Sequence, residues 1–253
     1  EIRNPLTSIS GSVEILRDEL ELNEINRRLM DVIVKESGRL ERIVSEFLQY
    51  ARIQRSESKP VAVAEILDEV LDRILKYEAF RNNIRIRNEL PEDCQVLADK
   101  EKLRQVLIHL LENAIESIED DNGLIAIESR FSPDRIGYTT TGDFNMPVRK
   151  LNDTELQELM NSSKYSFICI KDNGKGIPAT IIEKISQPFY STRSGGTGMG
   201  LAIVHKLADS MDGNISFGSE VGRGSEFVIA LKCAETTNVP DVNHSNSSLE
   251  LYK

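Results

Sequence analysis

Apolar residues recur at alternating spacings of four and three along residues 2–50. Ile2, Leu6, Ile9, Val13, Leu16 and Leu20 form one stripe. Ile25, Leu29, Val32, Leu40, Ile43, Phe47 and Tyr50 form a second, interrupted at Glu36. This period predicts two long amphipathic helices, each ~30 Å or more at 1.5 Å per residue. Asn23 and Asn26 flank the turn between them. A two-helix hairpin has little core of its own, and pairing two hairpins into a four-helix bundle would bury both stripes. A homodimer through residues 1–56 is therefore expected, with an intramolecular coiled-coil stalk as the other reading.

Beyond Tyr50 the periodicity changes. Ser56-Glu57-Ser58-Lys59-Pro60 is polar and its Pro stops a helix, so residues 57–61 read as a linker. Val63–Phe80 is helical, with Ile66, Leu67, Val70, Leu71, Ile74 and Leu75 on one face. Ile84–Arg87 and Gln95–Ala98 read as short strands. Asp99 is placed to cap a long helix running to about Ile118, with Lys102 at its third position. Asp121-Asn122-Gly123 is a turn signal, and Leu124–Glu128 a strand. Tyr165–Ile170 is a strand and Leu201–Ala208 a helix. Asn214–Ser219 and Ser225–Leu231 read as two strands joined by Glu220-Val221-Gly222-Arg223-Gly224. This region, residues 62–232, forms a second domain.

Two stretches stand apart. About thirty residues, 131–164, separate the strands at Leu124 and Tyr165, which is long for a connection without structure of its own. Asp153–Met160 could form a short helix within it, and Phe144, Met146 and Leu151 could pack onto the domain. The stretch reads as a surface excursion or as a docking surface for a partner. Residues 233–253 are polar and rich in Asn and Ser, the composition of a disordered tail.

The net charge of −10 over 253 residues argues against nucleic acid or an anionic membrane as the main partner, because both require clustered Lys and Arg. Cys94, Cys169 and Cys233 are far apart, as reduced thiols in a reducing compartment are. No apolar run approaches the roughly 18 residues of a membrane span, and no signal peptide opens the chain. A cytoplasmic location without membrane contact is expected. The first residue is Glu, which reads as a fragment whose upstream part could hold a sensor or an anchor.

The densest chemistry lies in Asp172–Leu201, DNGKGIPATIIEKISQPFYSTRSGGTGMGL. Glycines between a strand and a helix allow tight turns and close approach of amide groups to a ligand, and a helix N-terminus suits phosphate. No Gly-Lys-Ser/Thr completes a P-loop, and no βαβ repeat supports a dinucleotide fingerprint. A nucleotide site with a glycine-rich mobile wall is the first reading.

Three runs in order, Asp172–Pro178, Phe189–Arg193 and Gly196–Leu201, resemble the G1, F and G2 boxes of the histidine-kinase ATP-binding domain. Arg193 stands where Lys is commoner. Gln105–Ser117 resembles the N-box, with His109 where the family usually has Asn. Glu1-Ile2-Arg3-Asn4-Pro5-Leu6 resembles the H-box, whose phosphorylated His would lie directly before Glu1. Taken alone, Asn113 would read as a buried hydrogen-bonded Asn, and Glu1 and Asn4 as a solvated first turn and a helix cap.

The resemblance covers residues 1–232 and implies a sensor histidine kinase core, most similar to the nitrogen-regulation or PilS-type subgroup. The implied fold is α+β: a dimeric helical hairpin, then an α/β sandwich of the Bergerat (GHKL) type with a mixed sheet and helices. The implied cofactors are ATP and Mg²⁺. Asp172 would accept the adenine amino group, with Gly174 and Gly176 leaving room for the base. Asn113 would bind Mg²⁺. Thr192, Arg193, Gly196, Thr197, Gly198, Gly200 and Leu201 would wrap the phosphates, with Arg193 at the γ-phosphate and Phe189 anchoring one hinge of the lid. Glu1 would take the imidazole proton and Asn4 would orient the water that hydrolyses a phosphoaspartate. His109 could border the metal or be a plain hydrogen-bonded side chain. The implied partner is a response-regulator receiver domain. Other readings are a nucleotide-binding phosphatase-only or pseudokinase regulator, and a non-kinase ATPase of the same fold, which uses a Glu where this chain has His109.

Overall fold

Two antiparallel helices carry the N-terminal stripes: α1, Arg3–Glu19, and α2, Glu24–Arg52. The Asn23 side chain caps α2 by accepting from the Asn26 amide at 2.8 Å. Thr7 Oγ1 donates to Glu41 Oε1 at 2.6 Å, and Arg17 lies 3.6 Å from Asp31, which fixes the hairpin's alignment. Much of the apolar stripe stays uncovered within one chain: Ile25, Leu29 and Val32 are each more than half exposed.

The computed structural model describes residues 3–19, 23–76, 84–119, 122–130, 165–193 and 195–234. The proposed helix at Asp153–Met160, the rest of the 131–164 connection, and the tail from 235 onward lie outside the described residues. The chain divides into two units: Glu1–Ile53 with Ile185–Ile203, and Gln54–Lys184 with Val204–Lys253. The segment Ile185–Ile203, expected within the second domain, thus groups with the hairpin. The cause is local: Phe189 stacks on Phe47 of α2 with ring centroids 6.1 Å apart, and Thr197 Oγ1 donates to Glu46 Oε2.

The second unit opens with a correction. Three residues of the expected linker, 59–61, belong to a strand: β1, Lys59–Ala62, pairs antiparallel with β3, Gln95–Ala98. Pro60 is tolerated because β1 is an edge strand of a two-stranded sheet. Next come α3, Val63–Lys76, and β2, Arg85–Glu89. α4, Lys100–Ser117, follows β3. Asp99 caps α4 by accepting from the amides of Glu101 and Lys102. Leu103, Val106, Leu107, Leu110, Leu111 and Ala114 form its fully buried face. Each such Leu contributes about 1.5–3 kcal/mol.

The main sheet adds β4, Leu124–Arg130, and β5, Tyr165–Asp172. After helix α5, Gly200–Ser210, come β6, Asn214–Glu220, and β7, Gly224–Lys232. Strand order is β2-β4-β5-β7-β6, parallel between β2 and β4 and antiparallel elsewhere. β5 is central, and seven of its eight residues are buried. It delivers Asp172 at its end, facing α4.

Candidate nucleotide site

Asp172 is 1 % exposed. Its Oδ1 accepts from Ser117 Oγ at 2.7 Å and from the Gly174 amide at 2.9 Å. The Ser117 hydroxyl also reaches the Ala114 carbonyl at 2.8 Å. One hydrogen serves both acceptors, and the charged carboxylate is the stronger. Ser117 is the last residue of α4, so the helix end and the strand end are joined through this one side chain.

The loop after Asp172 is fastened to the same helix end. The Lys175 amide donates to the Ser117 carbonyl at 3.0 Å, and Lys175 Nζ pairs with Glu119 at 2.7 Å. That hydrogen bond holds the exposed Glu119 carboxyl below its ordinary range. Asn173 accepts from the Leu124 amide at 2.7 Å and donates to the Asn122 carbonyl at 2.9 Å, tying the loop to the turn before β4.

The two glycines expected to leave room for a base have a different neighbourhood. A Cβ at Gly174 would lie 2.1 Å from Ser117 Oγ and 2.5 Å from the Ser117 carbonyl oxygen. A Cβ at Gly176, where φ is +70°, would lie 2.0 Å from the Glu220 carbonyl oxygen. The space is filled by α4 and by the β6–β7 turn, so both glycines allow close packing of protein against protein.

His109, Asn113 and Ser117 are spaced by four along α4 and share one side of it. Asn113 is half-buried. Burial pushes the His109 imidazole below its ordinary range, and its Nδ1 lies 3.9 Å from the Glu112 carboxylate.

The other group of expected contacts belongs to the hairpin unit. Thr192 is exposed, while Arg193, Gly196, Thr197, Gly198, Gly200 and Leu201 are half-buried. The Arg193 amide donates to Ser191 Oγ at 3.1 Å, and the Met199 amide to Thr197 Oγ1 at 3.3 Å. Met199 is fully buried and precedes the first turn of α5. Phe189 holds φ +68°, rare for an aromatic residue, and Gly198 holds +71° with the Phe189–Tyr190 backbone 2.5–2.7 Å from where a Cβ would stand. Of the catalytic expectations, Glu1 lies outside the described residues, and Asn4 is described by its backbone, in α1.

Ser117 is the binding-region residue that sequence reasoning passed over. Its four-residue spacing from Asn113 puts it on the same helix side but does not by itself point to Asp172. Among the described residues no helix is long and apolar enough to cross a membrane.

Residues 98–235 match the family described as histidine kinase-, DNA gyrase B- and HSP90-like ATPase, and residues 1–56 match the His Kinase A (phospho-acceptor) domain. The chain is 29% identical to sporulation kinase C of Bacillus subtilis over 91% of its length, covering 46% of that protein. It is 29% identical to the sensor histidine kinase ZraS of Escherichia coli over 95% of its length, covering 45% of that protein. The chain thus spans less than half of these two relatives. Among solved structures, histidine kinase ThkA in complex with response regulator protein TrrA aligns over 92% of this chain and 59% of ThkA, with 26% identity and a TM-score of 0.60.

Proposed function

The chain belongs to the histidine kinase-, DNA gyrase B- and HSP90-like ATPase family, and from that premise we propose that it is the core of a protein-histidine kinase acting with a response regulator. One observation carries the choice within the family: the same chain joins a phospho-acceptor domain match to the ATPase match. The ATPases of this fold that lack such a domain use a Glu where His109 stands here.

In this reading ATP is the phosphoryl donor. Asp172, oriented by Ser117 and Gly174, accepts a hydrogen bond from the adenine amino group and disfavours a carbonyl in its place. Asn113 offers a neutral oxygen on the α4 side that ends at the Asp172 contact, which suits Mg²⁺; the ion would neutralise phosphate charge. Arg193 meets the γ-phosphate as a cation with a planar set of donors, and Thr192, Thr197 and the glycines supply hydroxyl and amide donors. Glu1 takes the proton of the acceptor imidazole. Asn4 orients water in the reverse, phosphatase direction. Phosphoryl transfer rests mainly on positioning and charge neutralisation, which is what these groups offer. The exposed stripe of α1 and α2 supports a homodimer. The receiver domain of a response regulator takes the phosphoryl group on an Asp.

The test is autophosphorylation with γ-labelled ATP and Mg²⁺ on the chain carrying a His directly before Glu1, beside its Asp172→Asn and Asn113→Ala variants. Acid-labile, base-stable label that both variants lose is the expected result. Measurable ATP binding without any label would leave a phosphatase-only or pseudokinase regulator instead.

A further inference from the structure

The five-stranded sheet has two faces, and the helices of its unit mark one of them. Ser117 of α4 meets Asp172, His205 of α5 meets the edge of Phe217, and Cys94 before β3 meets Ser129 and Ser166. Successive side chains along a strand point to opposite faces. Pairing registers therefore gather Ala126 and Glu128 of β4, Phe167, Cys169 and Lys171 of β5, and Glu226, Val228 and Ala230 of β7 on the other face. That face has its own apolar cluster of Phe167, Cys169, Val228 and Ala230, with Tyr165 packed against it.

A sheet face turned to water carries accessible, mostly polar side chains. This one does not. Cys169 is 0 % exposed, Phe167 and Val228 2 %, and Ala230 5 %. Glu128, Cys169 and Glu226 stand close enough together to suggest a metal site, but the Lys171 ammonium already pairs with both carboxylates. We infer that residues 131–164 dock on this outer face and cover it as a third layer, an intramolecular interface with Phe167, Cys169, Val228 and Ala230 at its centre.

Three observations select that segment. β4 and β5 are antiparallel neighbours with Arg130 opposite Phe167, so a loop of about 2–5 residues would join them. The segment is far longer and is tethered at both ends to strands of this face. Its composition supplies apolar groups: Phe144, Met146, Val148, Leu151, Leu156 and Leu159. Residues 235–253, the other long stretch, also hold Val239, Val242, Leu249, Leu251 and Tyr252 but lack the paired attachment to β4 and β5. Finally, Tyr165, where the segment re-enters the sheet, is part of the cluster's rim.

The three cysteines report on the inference without reference to nucleotide, so its failure is separate from any failure of the kinase reading. Cys94 lies on the helix face, Cys169 on the outer face, and Cys233 is half-buried. The whole chain is pulsed with N-ethylmaleimide and each site is quantified by peptide mass spectrometry. Cys94 and Cys169 should both be protected. Replacing residues 133–162 by Asn-Gly should raise Cys169 labelling at least about tenfold while Cys94 stays protected. F144D/M146D/L151D, which keeps the chain length, should do the same. Exposure of Cys94 together with Cys169 in both variants, with both protected after truncation at Ala234, also supports docking, because the segment is then needed for the fold. Rapid labelling of Cys169 in the whole chain would overturn the inference, as would continued protection after the replacement. Exposure of Cys169 by the Ala234 truncation in place of the replacement would give the face to residues 235–253.

Discussion

Ser117→Ala isolates the contact that orients Asp172. The substitution removes the 2.7 Å hydrogen bond to a carboxylate that is 1 % exposed and leaves the Gly174 amide as the other donor to Oδ1. A hydrogen bond to a charged group contributes about 1.5–3 kcal/mol. Because the hydroxyl is shared with the Ala114 carbonyl, the lower half of that range applies, about 1.5–2 kcal/mol. The chain has no Trp, so urea unfolding is followed by far-UV circular dichroism. If the same loss reaches nucleotide binding, affinity for a fluorescent ATP analogue falls about ten- to thirtyfold, at 1.4 kcal/mol per decade. Gly174→Ala should cost more, since its Cβ would meet Ser117 Oγ at 2.1 Å. Adding Ser117→Ala should not rescue it, because the Ser117 carbonyl oxygen, at 2.5 Å, remains. A Ser117→Ala protein with stability within about 0.5 kcal/mol of the parent and unchanged affinity would refute the assigned role.

Other expectations concern the core, pH and assembly. Lys171→Met leaves Glu128 and Glu226 without their buried ammonium and should lower the unfolding free energy by about 3–5 kcal/mol in the same urea assay; a change under about 1 kcal/mol would show that the triad relaxes. Burial lowers the His109 and His205 pKa values, with Asp209 partly opposing at His205. The unfolded chain then takes up protons first, so stability is level above about pH 6.5, falls as pH drops from there to the folded values, and levels again below them. Thermal midpoints across that window should show the slope, and His109→Asn with His205→Asn should flatten it; an unaltered slope would place its origin elsewhere. Leu29→Asp with Val32→Asp should halve the mass seen by light scattering if the exposed stripe pairs two chains, and an unchanged mass would point to the single-chain stalk.

Where the chain's pattern is periodic, the sequence foretold the elements closely. Gln95–Ala98 is a strand with the expected ends, and Asp99 caps α4 as its short carboxylate before a helical run requires. Lys59–Ala62 was missed because a polar stretch with Pro gives no alternation, and its strand geometry comes from pairing with Gln95–Ala98. Asp172 and Asn113 could be singled out by resemblance, but Ser117 could not. A Ser at a helix end has many local partners, and this one is distinguished only by a strand 55 residues away. The close packing at Gly174 and Gly176 was hidden for the same reason: what fills the space is Ser117 and Glu220, brought there by the fold.

Lys171 and Asp172 are adjacent in sequence and serve opposite sides of the sheet. A slip of β5 by one residue would turn the ammonium toward Ser117 and α4, and the carboxylate toward Glu128 and Glu226. Both moves bury charge beside the wrong partner. The pair therefore acts as a key that admits one alignment of the central strand, and it penalises misaligned chains more heavily than apolar packing alone would. An error in folding the layer remote from the candidate nucleotide site would thus misplace Asp172 as well.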